Sequence, residues 1–189
     1  MRRSGTTRRR GAALLMTATL ASAATLLAPR SAGAEAAHEH GVVRLDLAVD
    51  TARITIRMAS PLDNLLGFER APRTAQERQQ VAALVATLTA SAKLFAIDPA
   101  AGCKPGAVEL ESAALQLGKP DPAEPQAGHA DLDASFEFEC TDAARAGFVD
   151  TALFGAFAGI ARIDVQVAST HGQRKATLTR PARRIVLPR

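Results

Sequence analysis

The chain has neither Trp nor Tyr, and only seven Phe in 189 residues. Without those rings it has no aromatic platform on which bases or sugars could stack, so single-stranded nucleic acid and most glycans are poor ligands. It has only two Cys, Cys103 and Cys140, and no Cys-x-x-Cys pair. That removes the common thiolate zinc modules and leaves two readings, one disulfide in an oxidising compartment or a thiol contribution to a metal site. No long apolar run occurs after the first 30 residues, so Glu35–Arg189 is not expected to span a membrane. Gly-x-Ser-x-Gly, His-Glu-x-x-His and a phosphate-binding Gly-rich loop are all missing, and the expectation is a protein that is not an enzyme.

The N-terminus lacks acids altogether. Arg2, Arg3, Arg8, Arg9 and Arg10 precede a Leu/Ala-rich stretch from Gly11 to Ala28, and Ala32-Gly33-Ala34 closes it. This is the pattern of a cleaved secretory signal over residues 1–34, with a cut after Ala36 as the alternative. Arg9-Arg10 permits twin-arginine export as well as the general route. The basic balance of the whole chain, 23 Lys+Arg against 19 Asp+Glu, belongs to that leader. Six of the basic residues and no acid precede Glu35, which leaves 17 against 19, a net charge of −2. A nucleic-acid partner is therefore not expected, and the protein is expected to be exported.

Residues 35–189 suit a single domain. Val43, Leu45, Leu47 and Val49 alternate with Arg44 and Asp46, and Ile54, Ile56 and Met58 alternate after the turn at Asp50-Thr51. The two segments predict a hairpin of half-buried strands. Ser60-Pro61 ends it, and Leu62 to Pro72 reads as a loop or a short helical turn. Thr74-Ala75-Gln76-Glu77 is a capping box, and Val81, Leu84, Val85, Leu88 and Phe95 follow at helical spacing. A less regular strand is expected over 109–117, and a Pro/Gly-rich mobile loop over 118–128. Residues 131–139 alternate most sharply, with Leu132, Ala134, Phe136 and Phe138 inward. Residues 143–158 read as a second helix burying Phe148, Leu153, Phe154 and Phe157. Ile163, Val165 and Val167 mark a strand, His171-Gly172 a hairpin turn, and 173–179 with 184–187 complete the sheet. The predicted class is α+β, an antiparallel sheet of hairpins with two helices on one face, arranged as two related strand-strand-helix halves.

Four histidines are present: His38, His40, His129 and His171. In an extended chain His38 and His40 project on the same side, about 6.5–7 Å apart, a chelating pair or an incidental one on a loose terminus. His129-x-Asp131-x-Asp133 offers a nitrogen donor beside carboxylates, or a solvated acidic face that extends to Glu137 and Glu139. His171 belongs to its turn. These donors suit zinc, and copper or nickel equally. If the first strand lies near the strand at Asp131, then His38, His40, His129 and Asp131 would form one three-nitrogen, one-oxygen tetrahedral set.

Several motifs occur in order along the chain. They are His38-x-His40-Gly41 before Leu45-x-Leu47-x-Val49, and Pro61-Leu62-x-Asn64-x-x-Gly67-Phe68-Glu69 before Ala71-Pro72. Gly128-His129-Ala130-Asp131, Phe138-Glu139-Cys140 and Asp164-Val165-Gln166-Val167 before Gly172-Gln173 follow. In this the chain resembles the ZrgA-like family of zinc-regulated, zinc-binding periplasmic proteins, over essentially all of residues 35–189. The resemblance implies a non-catalytic zinc-binding accessory to zinc uptake or buffering, made when zinc is scarce. It carries His38, His40 and His129 over as ligands, with Asp131 beside them. Two departures stand out. The loop 118–128 contains no His where relatives carry a His-rich stretch, and Arg70 stands where many have His. Arg keeps its proton and cannot ligate zinc in the normal way, so fewer ions, held more weakly, are expected. The competing expectation is an exported protein-interaction module that docks a transporter component and binds little or no metal.

Overall fold

Alternation of apolar and polar residues builds the centre of the molecule, as a computed structural model of residues 39–118 and 130–188 shows. Strands β1 (Val42–Val49) and β2 (Arg53–Pro61) form the first hairpin. Next come α1 (Leu62–Leu66), α2 (Ala75–Thr89) and α3 (Ser91–Leu94), then β3 (Phe95–Ile97), β4 (Cys103–Glu111) and β5 (Asp131–Cys140). The chain finishes with β6 (Phe148–Thr151), α4 (Leu153–Ala156), β7 (Arg162–Ser169), β8 (Gly172–Thr179) and β9 (Arg184–Val186). The main sheet runs in the order β4-β5-β2-β1-β7-β8, and a smaller one runs β3-β6-β9. The class is α+β, built largely from hairpins.

On the inner face of the main sheet, Leu45, Ile54, Ile56, Leu132, Phe136 and Ile163 are shielded from solvent, and the Phe95 ring packs tilted against Phe136 with centroids 5.1 Å apart. Each side chain of this size stabilises by ~1.5–3 kcal/mol when removed from water. Leu84 and Leu88 of α2, Val149 of β6 and Ile185 of β9 join the same cluster. The polar partners in each strand, Asp46, Arg57, Asp133 and Gln166 among them, remain on the exposed outer face.

Several expectations are corrected. The sheet is mixed, because β1 pairs β7 in parallel. Both strands bury every second residue, so Leu45 beside Val165 and Leu47 beside Val167 place two apolar rows on one face in that orientation. The second helix expected over 143–158 is absent. Ala143–Arg145 form one 3₁₀ turn, Phe148–Thr151 form β6, and only Leu153–Ala156 are α-helical. The Asp98 carboxylate accepts from the Gly147 N–H at 2.9 Å and fixes the break, after which β-branched Val149 and Thr151 bury one face of β6 between β3 and β9. With that helix gone, the two halves are not alike.

Phe95, read as the end of the long helix, opens β3 instead, since α2 stops at Thr89. Residues 184–187 supply β9 to the small sheet rather than a strand to the large one. The strand expected over 109–117 is displaced: β4 runs from Cys103 to Glu111, and 112–117 form a turn closed by an isolated Ser112–Leu117 bridge; β4 tolerates Pro105 and Gly106 because it is an edge strand with a bulge between Pro105 and Val108. Residues 1–38 and 119–129 lie outside the described residues, and with them the expected signal, His38, His129 and nearly all of the 118–128 loop. Among the described residues no helix is long and apolar enough to cross a membrane.

Candidate functional site

Three strand ends meet at one end of the main sheet: the start of β1, the end of β2 and the start of β5. The start of β7 joins them, because β7 runs parallel to β1 with Arg162 beside Val42. The end of β2 runs straight into α1, and the Leu62 N–H donates to the Ala130 carbonyl at 2.9 Å, tying that helix to the lead into β5.

His40 projects from this end, immediately before β1. Its mount is the buried side chain of Asn64 on α1. The Asn64 amide oxygen accepts from the Gly41 N–H at 2.6 Å, while its nitrogen donates to the Val42 carbonyl at 2.8 Å and the Ser60 hydroxyl at 3.3 Å. One amide thus satisfies backbone groups on both sides of the Gly41–Val42 link, as a buried polar group must. From the other flank, the Gly41 carbonyl accepts the N–H groups of Ala161 and Arg162 at 2.8 and 2.9 Å. Gly159 lies so close to α1 that a Cβ there would stand 2.6 Å from the Asn64 carbonyl oxygen. The Arg180 guanidinium donates to the Phe154, Phe157 and Ile160 carbonyls and holds that approach in place.

Two carboxylates face the His40 ring. Nε2 lies 3.0 Å from Glu69 Oε1, and Nδ1 lies 4.0 Å from Asp63 Oδ2. Asp63 sits in the first turn of α1. Glu69 follows Gly67, whose left-handed conformation (φ 77°) closes α1 through a 2.9 Å bond to the Asp63 carbonyl. The histidine is 59% exposed, Asp63 41% and Glu69 16%, so ring and Asp63 are open to an incoming ion while Glu69 is mostly enclosed.

Arg70, beside this cluster, is occupied elsewhere. Its guanidinium lies over the Phe68 ring at 5.0 Å and donates twice to the Glu77 carboxylate, at 3.0 and 2.8 Å. Glu77 also accepts the Arg73 and Thr74 N–H groups while Thr74 accepts from the Glu77 N–H, the capping box expected from the sequence. Those bonds, led by the one from Arg70, pull the Glu77 carboxyl down to about 2. On the other side, Arg162 reaches Glu39 at 2.8 Å and Asp164 at 3.2 Å, and these partners raise its guanidinium above the ordinary arginine value.

The expected site residues are distributed unequally. His40 is in the cluster, and His38 and His129 lie outside the described residues. Asp131 opens β5 opposite Pro61, with its carbonyl accepting the Ser112 hydroxyl at 2.7 Å. The strand β2 lies between β5 and β1, a gap of about 10 Å between their axes. Cys103 and Cys140 face each other in register and form a disulfide with S–S 2.06 Å, so neither is a metal ligand. They join the end of β5 far from Asp131, and His171 turns at the far end of β7. The acidic outer row of β5 is interleaved with basic residues, Glu137 pairing with Arg53 at 3.3 Å and Glu139 standing opposite Arg53 and Lys104.

Sequence reasoning missed Asp63, Asn64 and Glu69 as parts of the site. The signal was present in the hairpin itself. An antiparallel β1–β2 pair returns the chain after Pro61 to the place where His40 enters. Among the described residues no group of three or more His, Cys, Asp and Glu side chains is spaced to hold a metal ion. An imidazole beside carboxylates is nonetheless donor chemistry that divalent zinc takes.

No curated protein matches the chain. A family model described as ZrgA family zinc uptake protein matches residues 37–187, and by that match, which spans all of these strands and the His40 cluster, the chain belongs to the ZrgA family.

Proposed function

We propose that this protein is a periplasmic zinc-binding accessory to zinc uptake or buffering, which captures and releases the ion without catalysing a reaction. The observation that carries the reading is the His40 ring, held by the Asn64 mount at the sheet end and opposed by Asp63 and Glu69. Family membership supplies the link to zinc uptake. The disulfide fits an exported protein, since such bonds persist in oxidising compartments.

The full set takes His40 with His38, two residues before it, and donors from the start of β5, where His129 precedes Ala130 and Asp131. Donors drawn from the segment before the first strand and from a strand lead suit exchange of an ion better than a fixed reaction centre. Replacing His38 and His40 together by Ala should lower zinc affinity at least tenfold in titration calorimetry. An unchanged isotherm would remove these histidines from the site. Failure of the parent protein to bind zinc would favour the second reading, a docking module for a transporter component, and a pull-down with and without chelator would test it.

A further inference from the structure

The main sheet has two edges, and they are built differently. Strand β4 forms one, where Pro105 lacks an N–H and a register shift between Pro105 and Val108 interrupts the ladder. Strand β8 forms the other. It pairs with β7 along its whole length without a shift, from Gly172 opposite Ser169 to Thr179 opposite Arg162. It contains no Pro, and among the described residues no strand lies beyond it. Every second residue of such an edge turns its backbone N–H and C=O away from the sheet, which makes a template for one more strand.

Charge decides which strand fits. All 19 Asp and Glu of the chain precede Val165, whereas the stretch from Val165 to Arg189 holds six Lys and Arg and no acid. In β8, Arg174 stands opposite Val167 and Lys175 opposite Gln166, so the edge carries one cation on each face of the sheet. Both side chains are exposed, and neither has a partner among the described residues. On the outer face, Lys175 and Thr177 also line a depression of about 550 Å³, which leaves room for a carboxylate to lie against the ammonium. Basic side chains deter a second copy of the same edge, because like charges oppose each other across a strand pair, and they attract an acidic strand. We infer that β8 is a docking edge for an extended acidic segment of a partner protein. The segment adds as a further strand and places Asp or Glu at consecutive positions beside Arg174 and Lys175. Main-chain hydrogen bonds supply the affinity, and the two cations supply the selectivity. Metal plays no part in it.

The test is titration of nitrogen-15-labelled Glu35–Arg189 with a peptide of Thr and Val around a central Glu-Glu pair, matched in length to β8 and read by backbone amide shifts. The shifts should concentrate on alternate residues of β8. Lys-Lys in place of Glu-Glu should weaken binding about tenfold. N-methylation of alternate peptide nitrogens should weaken it as much, since it keeps the charge and removes the ladder donors. The double variant Arg174→Glu with Lys175→Glu, both at exposed positions, should reverse the preference toward the Lys-Lys peptide. Binding that survives N-methylation would make the edge a simple charge patch and overturn the docking of a strand. A dimer in sedimentation that pairs β8 with β8 would overturn the acidic partner. Binding of anionic phospholipid vesicles through Arg174 and Lys175, with the peptide ignored, would do the same, as would a β8 that responds to no peptide at all.

Discussion

Asn64 shows how much one buried amide can decide. It has no solvent contact to fall back on, and three hydrogen bonds converge on it from Gly41, Val42 and Ser60. Asn64→Ala leaves a buried donor and a buried acceptor without partners, a loss of about 2–3 kcal/mol that urea unfolding would register. The variant should also bind zinc more weakly, since the lead carrying His40 loses its anchor. Unaltered stability would show that water replaces the amide. Reading the sequence named His40 as a candidate but passed over Asn64, Asp63 and Glu69 beside it, because their value comes from a hairpin that returns the chain to its own beginning. Spacing alone, 23 residues from Gly41 to Asn64, does not show that proximity; the expected hairpin, followed past Pro61, does.

Among the elements, α2 depends on charge at its first turn. Glu77 has its carboxyl pulled below the usual carboxylate range, to about 2, first by the Arg70 bond and then by the Arg73 N–H. A carboxyl with a lowered folded-state pKa stabilises above its unfolded value of about 4.3, and that contribution disappears as pH falls through about 2. Amide exchange at the α2 N-terminus should therefore quicken across this acid window. In Arg70→Ala the onset should move upward in pH, and an onset that does not move would mean that the backbone bonds alone hold Glu77. Helix α2 and the strands β1, β2, β5 and β7 were legible because period and burial agree, as in Leu132, Ala134, Phe136 and Phe138. Residues 143–158 misled because Phe148, Leu153, Phe154 and Phe157 mimic a helical stripe, while the break depends on Asp98, 49 residues from Gly147. The small sheet was invisible for the same reason: β3, β6 and β9 are three or four residues long and acquire meaning only when paired.

For the whole molecule, the disulfide and the candidate site occupy opposite ends of β5. Cys103 and Cys140 close a loop with a sequence separation of 37, and removing both with Ala should cost about 4 kcal/mol on the loop-entropy account. Zinc affinity of the variant should remain that of the parent at temperatures where it is folded. A parallel loss of zinc would mean that the two ends communicate. The mixed sheet accounts for how the site end is assembled, since the parallel β1–β7 pair brings Arg162, Ala161 and Gly159 against the His40 lead. No hairpin reading predicts that pair, whose partners are more than a hundred residues apart.

Zinc titration calorimetry on Glu35–Arg189, free of any tag and near neutral pH, tests the central claim most directly. Binding near one equivalent, at micromolar affinity or tighter, is the result expected. No heat, with no competition against a chromogenic chelator, would contradict it.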